Sequence, residues 1–232
     1  MSRIKNIKLI SILLCVPILI FCGKRTQVQE KEMKKISKVV ILGNSIVAHP
    51  PKPEIGWTHD WGMAASCAKC DFVHILQDSV KRMNPDALVE WGSIAEFEQD
   101  YTHYDLNKAS KYRDADLLII KISENVAYSP EMEKEFIQRF DDLVDYLTPS
   151  KKTTIVIAEG FWPSPVNALL KDYAIKNKYL HVPIEDLFAS DKRNAAIGLF
   201  ENEGVANHPS DLGMKNIAER IWYVINPLFK PI

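Results

Sequence analysis

Apolar residues recur along this chain in two rhythms, short continuous runs and longer stretches with a helical period, and the two alternate. Lys38-Val39-Val40-Ile41-Leu42 is a β-branched apolar run ending at Gly43, the pattern of a buried parallel strand followed by a tight turn. Ala87 to Trp91 and Asp116 to Ile122 predict a second and third strand, the latter with the apolar centre Leu117-Leu118-Ile119-Ile120. Thr153 to Ala158 and Tyr179 to Val182 predict a fourth and a fifth. Between them, Phe72 to Met83 places Val73, Leu76, Val80 and Met83 at helical spacing until Asn84-Pro85 stops the pattern. Glu131 to Leu147 predicts a second helix, with Phe136, Phe140, Leu143, Val144 and Leu147 on one face. Asn167 to Lys176 and Ser210 to Ile225 complete the set, the last with Ser210 or Asp211 as N-cap. This alternation predicts an α/β fold, a three-layer α/β/α sandwich around a mostly parallel five-stranded sheet. In such sheets reactive groups lie beyond the carboxyl ends of the strands. Ser45, Gly92 and Asn125 follow the first three strands, and His208 precedes the last helix.

The first residues break this pattern. Arg3, Lys5 and Lys8 precede the apolar run Leu9 to Phe21, which meets Cys22 and Gly23. That is the layout of a signal peptide, and the run is shorter than the roughly 20 apolar residues of a membrane helix. Leu19-Ile20-Phe21-Cys22 resembles the lipobox of bacterial lipoproteins, although Phe21 stands where a small residue is usual. The resemblance implies cleavage after residue 21, lipidation of Cys22 and a polar tether over residues 22–37, with one domain over 38–232. The protein is then expected to be exported to the bacterial cell envelope and to meet the membrane by a lipid anchor only; plain secretion and an uncleaved anchor are the alternatives. Removing residues 1–21 takes away three positive charges and no negative ones, lowering the formal net charge from −1 to −4. A mildly acidic chain without a basic stripe argues against nucleic acid as its main partner.

Cys15 lies inside the apolar run and Cys22 at its end, which leaves Cys67 and Cys70. Their spacing suits a local disulfide, a redox pair or half a zinc site. No second pair and no nearby His-x3-His completes a zinc site, and an oxidising envelope favours the disulfide.

Four blocks carry candidate chemistry: Gly43-Asn44-Ser45, Glu90-Trp91-Gly92, Ile122-Ser123-Glu124-Asn125 and His208-Pro209-Ser210-Asp211-Leu212-Gly213-Met214. Alone, each has a plain reading as a turn, a loop or a surface histidine before a helix. Together and in this order they resemble the marker residues of the SGNH (GDSL-like) hydrolases, over nearly all of residues 38–232. The resemblance implies Ser45 as nucleophile and His208 as its base. It further implies an oxyanion hole from the Ser45 and Gly92 N–H groups and the Asn125 side chain, with no cofactor or metal. A serine hydroxyl needs a neighbouring imidazole to take its proton, and the oxyanion needs donors fixed in advance. Two positions depart from the family: Asn44 replaces an aspartate, and Val205 stands where an aspartate usually orients the histidine. A Ser45–His208 dyad held by a backbone carbonyl is one outcome; recruitment of Glu201, Glu203 or Asp211 is another, though Asp211 competes as a first-turn residue of the last helix.

Loops after the first and fourth strands add candidates for a substrate cleft. Trp57, Asp60 and Trp61 lie in Gly56 to Ser66, where indole faces suit sugars or staple the loop. Phe161 and Trp162 follow the fourth strand and either shape a pocket or pack a turn. Gly62 rivals Gly92 as a backbone donor, and His181 on the fifth strand reads as a satisfied half-buried residue. The leading reading is an esterase that removes small acyl groups from an ester or acylated glycan. A non-catalytic glycan- or peptide-binding module and a thiol redox protein are the alternatives.

Overall fold

The five predicted runs form strands, with ends that differ by one or two residues from the expectation. The computed structural model describes residues 35–229, so the expected signal run and Cys22 lie outside the described residues. Strands β1 (Lys38–Gly43), β2 (Leu88–Ser93), β3 (Leu117–Lys121), β4 (Thr154–Ala158) and β5 (Leu180–Val182) make one sheet in the order β2-β1-β3-β4-β5. Every pairing is parallel, where a mostly parallel sheet was expected. In chain order the helices are α1 (Phe72–Met83), α2 (Ala95–Gln99), α3 (Glu133–Leu147), α4 (Pro165–Asn177), α5 (Asp186–Ser190), α6 (Glu203–Ala206) and α7 (Asp211–Ile225). The four helices legible from periodicity are α1, α3, α4 and α7. The other three have five residues or fewer, too short to show a helical period.

Strand residues alternate between two cores. Val39, Ile41, Leu117, Ile119 and Val156 face α1 and α7, packing against Phe72, Leu76, Ile217 and Ile221. Val40, Leu42, Leu118, Ile120 and Ile157 face α3 and α4, packing against Phe136, Phe140, Leu143 and Leu170. Both faces are covered, which is why the strands read as continuous apolar runs. Among the described residues no helix is long and apolar enough to cross a membrane.

The register lines up the carboxyl ends. Gly43 pairs with Ser93 on one side and Lys121 on the other, and Lys121 pairs with Ala158. Strand order reverses between β1 and β3, so their carboxyl ends open a crevice where a doubly wound sheet takes its ligands. Ser45 follows β1 and Asn125 follows β3, which sets them on the two sides of that crevice. At its floor Gly43 has no room for a side chain: a Cβ there would lie 2.4 Å from Lys121 O and 2.6 Å from Val47 Cγ2. Gly43→Ala should therefore push β1 from β3 and cost about 1–3 kcal/mol; a lowered urea midpoint at unchanged slope is the expected readout.

Candidate active site

After Gly43 the chain makes one helical turn. Val47 and Ala48 N–H donate to Asn44 O at 2.9 and 3.1 Å, and Ile46 N–H donates to Asn44 Oδ1 at 3.2 Å. Ser45 opens this turn, and its Oγ lies 2.8 Å from His208 Nε2. The Ser45 N–H, at the start of the turn, has no hydrogen-bond acceptor among the described residues.

His208 is fixed by its neighbours in sequence. Asn202 caps α6 by accepting from Val205 N–H, and His208 N–H donates to Val205 O at 3.0 Å. The imidazole Nδ1 lies 2.7 Å from Gly204 O. A carbonyl only accepts, so Nδ1 carries the proton and Nε2 faces Ser45 as an acceptor. Ala196 N–H holds His208 O, Ser210 caps α7 at Gly213 N–H, and the Trp162 ring stands edge-on to the imidazole at 5.2 Å. Burial lowers the His208 pKa to about 4, so the ring is neutral at pH 7.

None of the carboxylates weighed as a third member bonds to His208. Val205 is buried against Trp57, Met63 and Ala196. Glu201 and Glu203 are exposed. Asp211, the first residue of α7, accepts from Ser66 N–H and Oγ at 2.8 and 2.6 Å. The Gly204 carbonyl takes the orienting position.

Asn125 reaches the same cleft from the end of β3, a cavity of about 340 Å³ lined also by His49, Met63, Ser93, Gln99 and Asn202. Gly92 does not line it. Leu88 N–H to Ser37 O and Ile94 N–H to Gly43 O bracket the β1–β2 ladder, whose alternation turns the Gly92 N–H toward β1. Its Cα faces Tyr112, whose hydroxyl would sit 1.8 Å from an added Cβ, so packing accounts for the glycine. The residues of this junction that face the cleft are Ser93 and Ala95. The rival Gly62 N–H is taken by Asp71 Oδ2 at 3.1 Å.

The expected aromatic cleft is also displaced. Trp57 and Phe161 are fully buried. Trp57 donates to His49 O, and Trp61, stacked on His59 at 4.1 Å, donates to Ala65 O. Asp60 is exposed, and Trp162 donates to Asn207 O. Of these five residues none lines the cavity; loop packing buries Trp57, while Trp61 and Trp162 stay half-buried outside it. His181 lies 3.0 Å from Glu159 Oε1, away from the cleft. Cys67 and Cys70 are bonded, the local disulfide expected from their spacing.

Beneath Ser45 lies a buried polar cluster that the motifs did not announce. Asn44 Nδ2 donates to Glu124 Oε2 at 2.7 Å and to Glu98 Oε1 at 3.2 Å. Lys121 pairs with Glu124, which also accepts from Phe161 N–H at 2.7 Å. Glu98 accepts from Ser123 N–H at 2.6 Å and from Asn125 Nδ2 at 2.9 Å. Ser123, at φ 141°, holds a conformation that costs side-chain-bearing residues about 1–3 kcal/mol, and its bonds to Glu98 and Asn167 Oδ1 retain it. Burial, then the Glu124 charge, pushes the Glu98 pKa up to about 7. Burial alone would raise Glu124 too, but Lys121 and three hydrogen bonds more than reverse this and hold it below the usual carboxylate range. A lysine closing an otherwise apolar strand was the one sign of this cluster in the sequence.

No protein-family model matches the sequence, and no curated protein does. Solved structures match over most of the chain. One is a two-domain esterase active on acetylated mannans, with a TM-score of 0.54 and 16% identity over 84% of this chain and 50% of that one. An acetyl xylan esterase from the rumen bacterium Butyrivibrio proteoclasticus gives 0.52 and 13%, over 84% and 65%. A psychrotrophic esterase from Pseudoalteromonas sp., inhibited by monoethylphosphonate, gives 0.54 and 14%, over 82% and 97%. The chain spans about half the length of the mannan esterase. At these identities the likeness shows the fold, the α/β/α sandwich that the pattern predicted.

Asn44 places a donor where two carboxylates need one between them. Asn44→Asp would put a third buried carboxylate in its place and should destabilise the protein by about 3 kcal/mol. Urea unfolding of the variant against the parent measures this.

Proposed function

We propose that this protein is a serine esterase of the SGNH type that removes small acyl groups, acetyl foremost, from a glycan. The observation that carries the reading is the relay from Ser45 Oγ to His208 Nε2 at 2.8 Å and from Nδ1 to Gly204 O at 2.7 Å. Ser45 Oγ attacks the acyl carbonyl while Nε2 takes its proton, forming a tetrahedral oxyanion. Ser45 N–H and the Asn125 amide stabilise that charge. Collapse expels the alcohol, protonated by His208, and leaves an acyl-enzyme. Water then attacks the ester, His208 takes its proton and returns it to Ser45 Oγ, and the carboxylic acid departs. No cofactor enters this sequence.

The neutral imidazole is ready to accept a proton above about pH 4. Its depressed pKa also makes it a modest base. The small cleft, with Met63 and Ala95 among polar His49, Ser93, Gln99 and Asn202, suits a short acyl group on a hydroxyl-rich alcohol. The mannan and xylan esterases that share the fold supply the analogy for a glycan. Export to the cell envelope on a lipidated Cys22 belongs to the same reading.

Hydrolysis of p-nitrophenyl acetate is the direct test. Ser45→Ala and His208→Ala should each lower turnover by a factor of at least about 1,000, the serine variant at an unchanged unfolding midpoint. A fluorophosphonate should label Ser45, as read by mass spectrometry. Full activity in Ser45→Ala, or no label on the parent protein, would remove this reading.

A further inference from the structure

The two ends of a primary amide have nearly the same shape and opposite hydrogen-bonding character, so something must decide which end Asn125 presents to the cleft. The candidate is a side chain from a different element. Glu98, on α2, is buried, and its Oε2 accepts from Asn125 Nδ2 at 2.9 Å. Its Oε1 accepts from Ser123 N–H, Asn44 Nδ2 and, at 3.4 Å, Asn125 N–H. Turning the Asn125 amide by half a rotation would set Oδ1 against a carboxylate already ringed by donors, bringing two acceptors together. An ionised Glu98 therefore keeps the NH₂ group in place, with one hydrogen on Oε2 and the second free for the cleft.

We propose that Glu98 is a positioning residue that locks the Asn125 amide in its donor orientation, and that it does so only as a carboxylate. The proposal rests on the esterase reading above, in which Asn125 serves the oxyanion. A protonated Glu98 carries an O–H, and its best acceptor is Asn125 Oδ1 after the amide turns. The cleft then meets an amide oxygen where a donor stood, and a developing oxyanion is repelled.

Among the described residues the charged groups around Glu98 are few. Glu124 faces it across Asn44 Nδ2, with Lys121 bound on the far side of Glu124, and on α2 itself Glu96 is exposed and paired with Lys108. Burial and the Glu124 charge raise its pKa to about 7, whereas that of His208 is lowered to about 4. Ionisation of Glu98, not of His208, then controls turnover around neutrality, and turnover rises with pH because the carboxylate is the working form.

The test is steady-state hydrolysis of p-nitrophenyl acetate by the parent protein, Glu98→Gln, Asn125→Ala and the double variant, from about pH 5.5 to about pH 8.5. The parent kcat should rise about fivefold or more through one ionisation near neutrality. Glu98→Gln, whose amide can donate to a turned Asn125 Oδ1, should lose that limb and fall about tenfold or more in kcat at the high-pH end, with KM changed less than about threefold. Asn125→Ala should lose about 100-fold. Adding Glu98→Gln to it should cost under about threefold more, because both act through one amide.

Two failures are separable. If Asn125→Ala is impaired while Glu98→Gln keeps the parent kcat and pH profile, the positioning role is wrong and the esterase reading stands. If Asn125→Ala turns over like the parent, the oxyanion assignment falls and the proposal falls with it. Should Glu98→Gln fail to fold, the parent profile still decides: a kcat that is flat from about pH 6 to about pH 8 overturns the proposal.

Discussion

One amide nitrogen, Nδ2 of Asn44, stands between the buried carboxylates of Glu98 and Glu124, and the carboxyl end of the sheet is organised around it. Two carboxylates in a low-dielectric interior repel strongly unless donors and a counter-charge intervene. Here the donors come from every neighbouring segment: Asn44 after β1, Lys121 at the end of β3, Ser123 and Asn125 beyond it, and Phe161 after β4. Satisfying the charges therefore fixes the relative positions of the loops that carry Ser45 and Asn125. A cluster satisfied in this way is rigid, and rigidity is what the proposed esterase would require of its oxyanion donors, which must be in place before charge develops.

The same economy of charge explains the histidine. His208 is buried with no carboxylate on its second nitrogen, so the folded protein disfavours the imidazolium and keeps a weak base. A backbone carbonyl fixes the tautomer without adding a third negative group near Glu98 and Glu124. Val205 fits this arrangement: it belongs to the apolar cluster of Trp57, Met63, Ala64 and Ala196.

Much of this was legible beforehand, for physical reasons that differ by residue. Strands buried on both faces and helices with one apolar stripe must show periodic patterns, so the sheet and α1, α3, α4 and α7 were readable. The meeting of Ser45 and Asn125 followed from placing motif residues at strand ends, and that of His208 with them from the motif resemblance. Gly92 misled because β2 runs two residues further than the pattern predicts and takes it into the ladder, and because a glycine signals a close approach without saying which group approaches; here it is Tyr112. The tryptophans misled similarly, since indole area serves a staple as well as a cleft. Glu98 and Glu124 left almost no trace, because a glutamate sequestered by tertiary partners looks in sequence like one on the surface.

Because all five strands run the same way, the described chain enters the domain at one rim of the sheet and opens the Ser45 cleft at the other. Lys38 opens β1, and the six residues to Gly43 span about 20 Å, the height of the sheet. Chain that joins ahead of Lys38 is thus attached at the rim opposite the Ser45 opening.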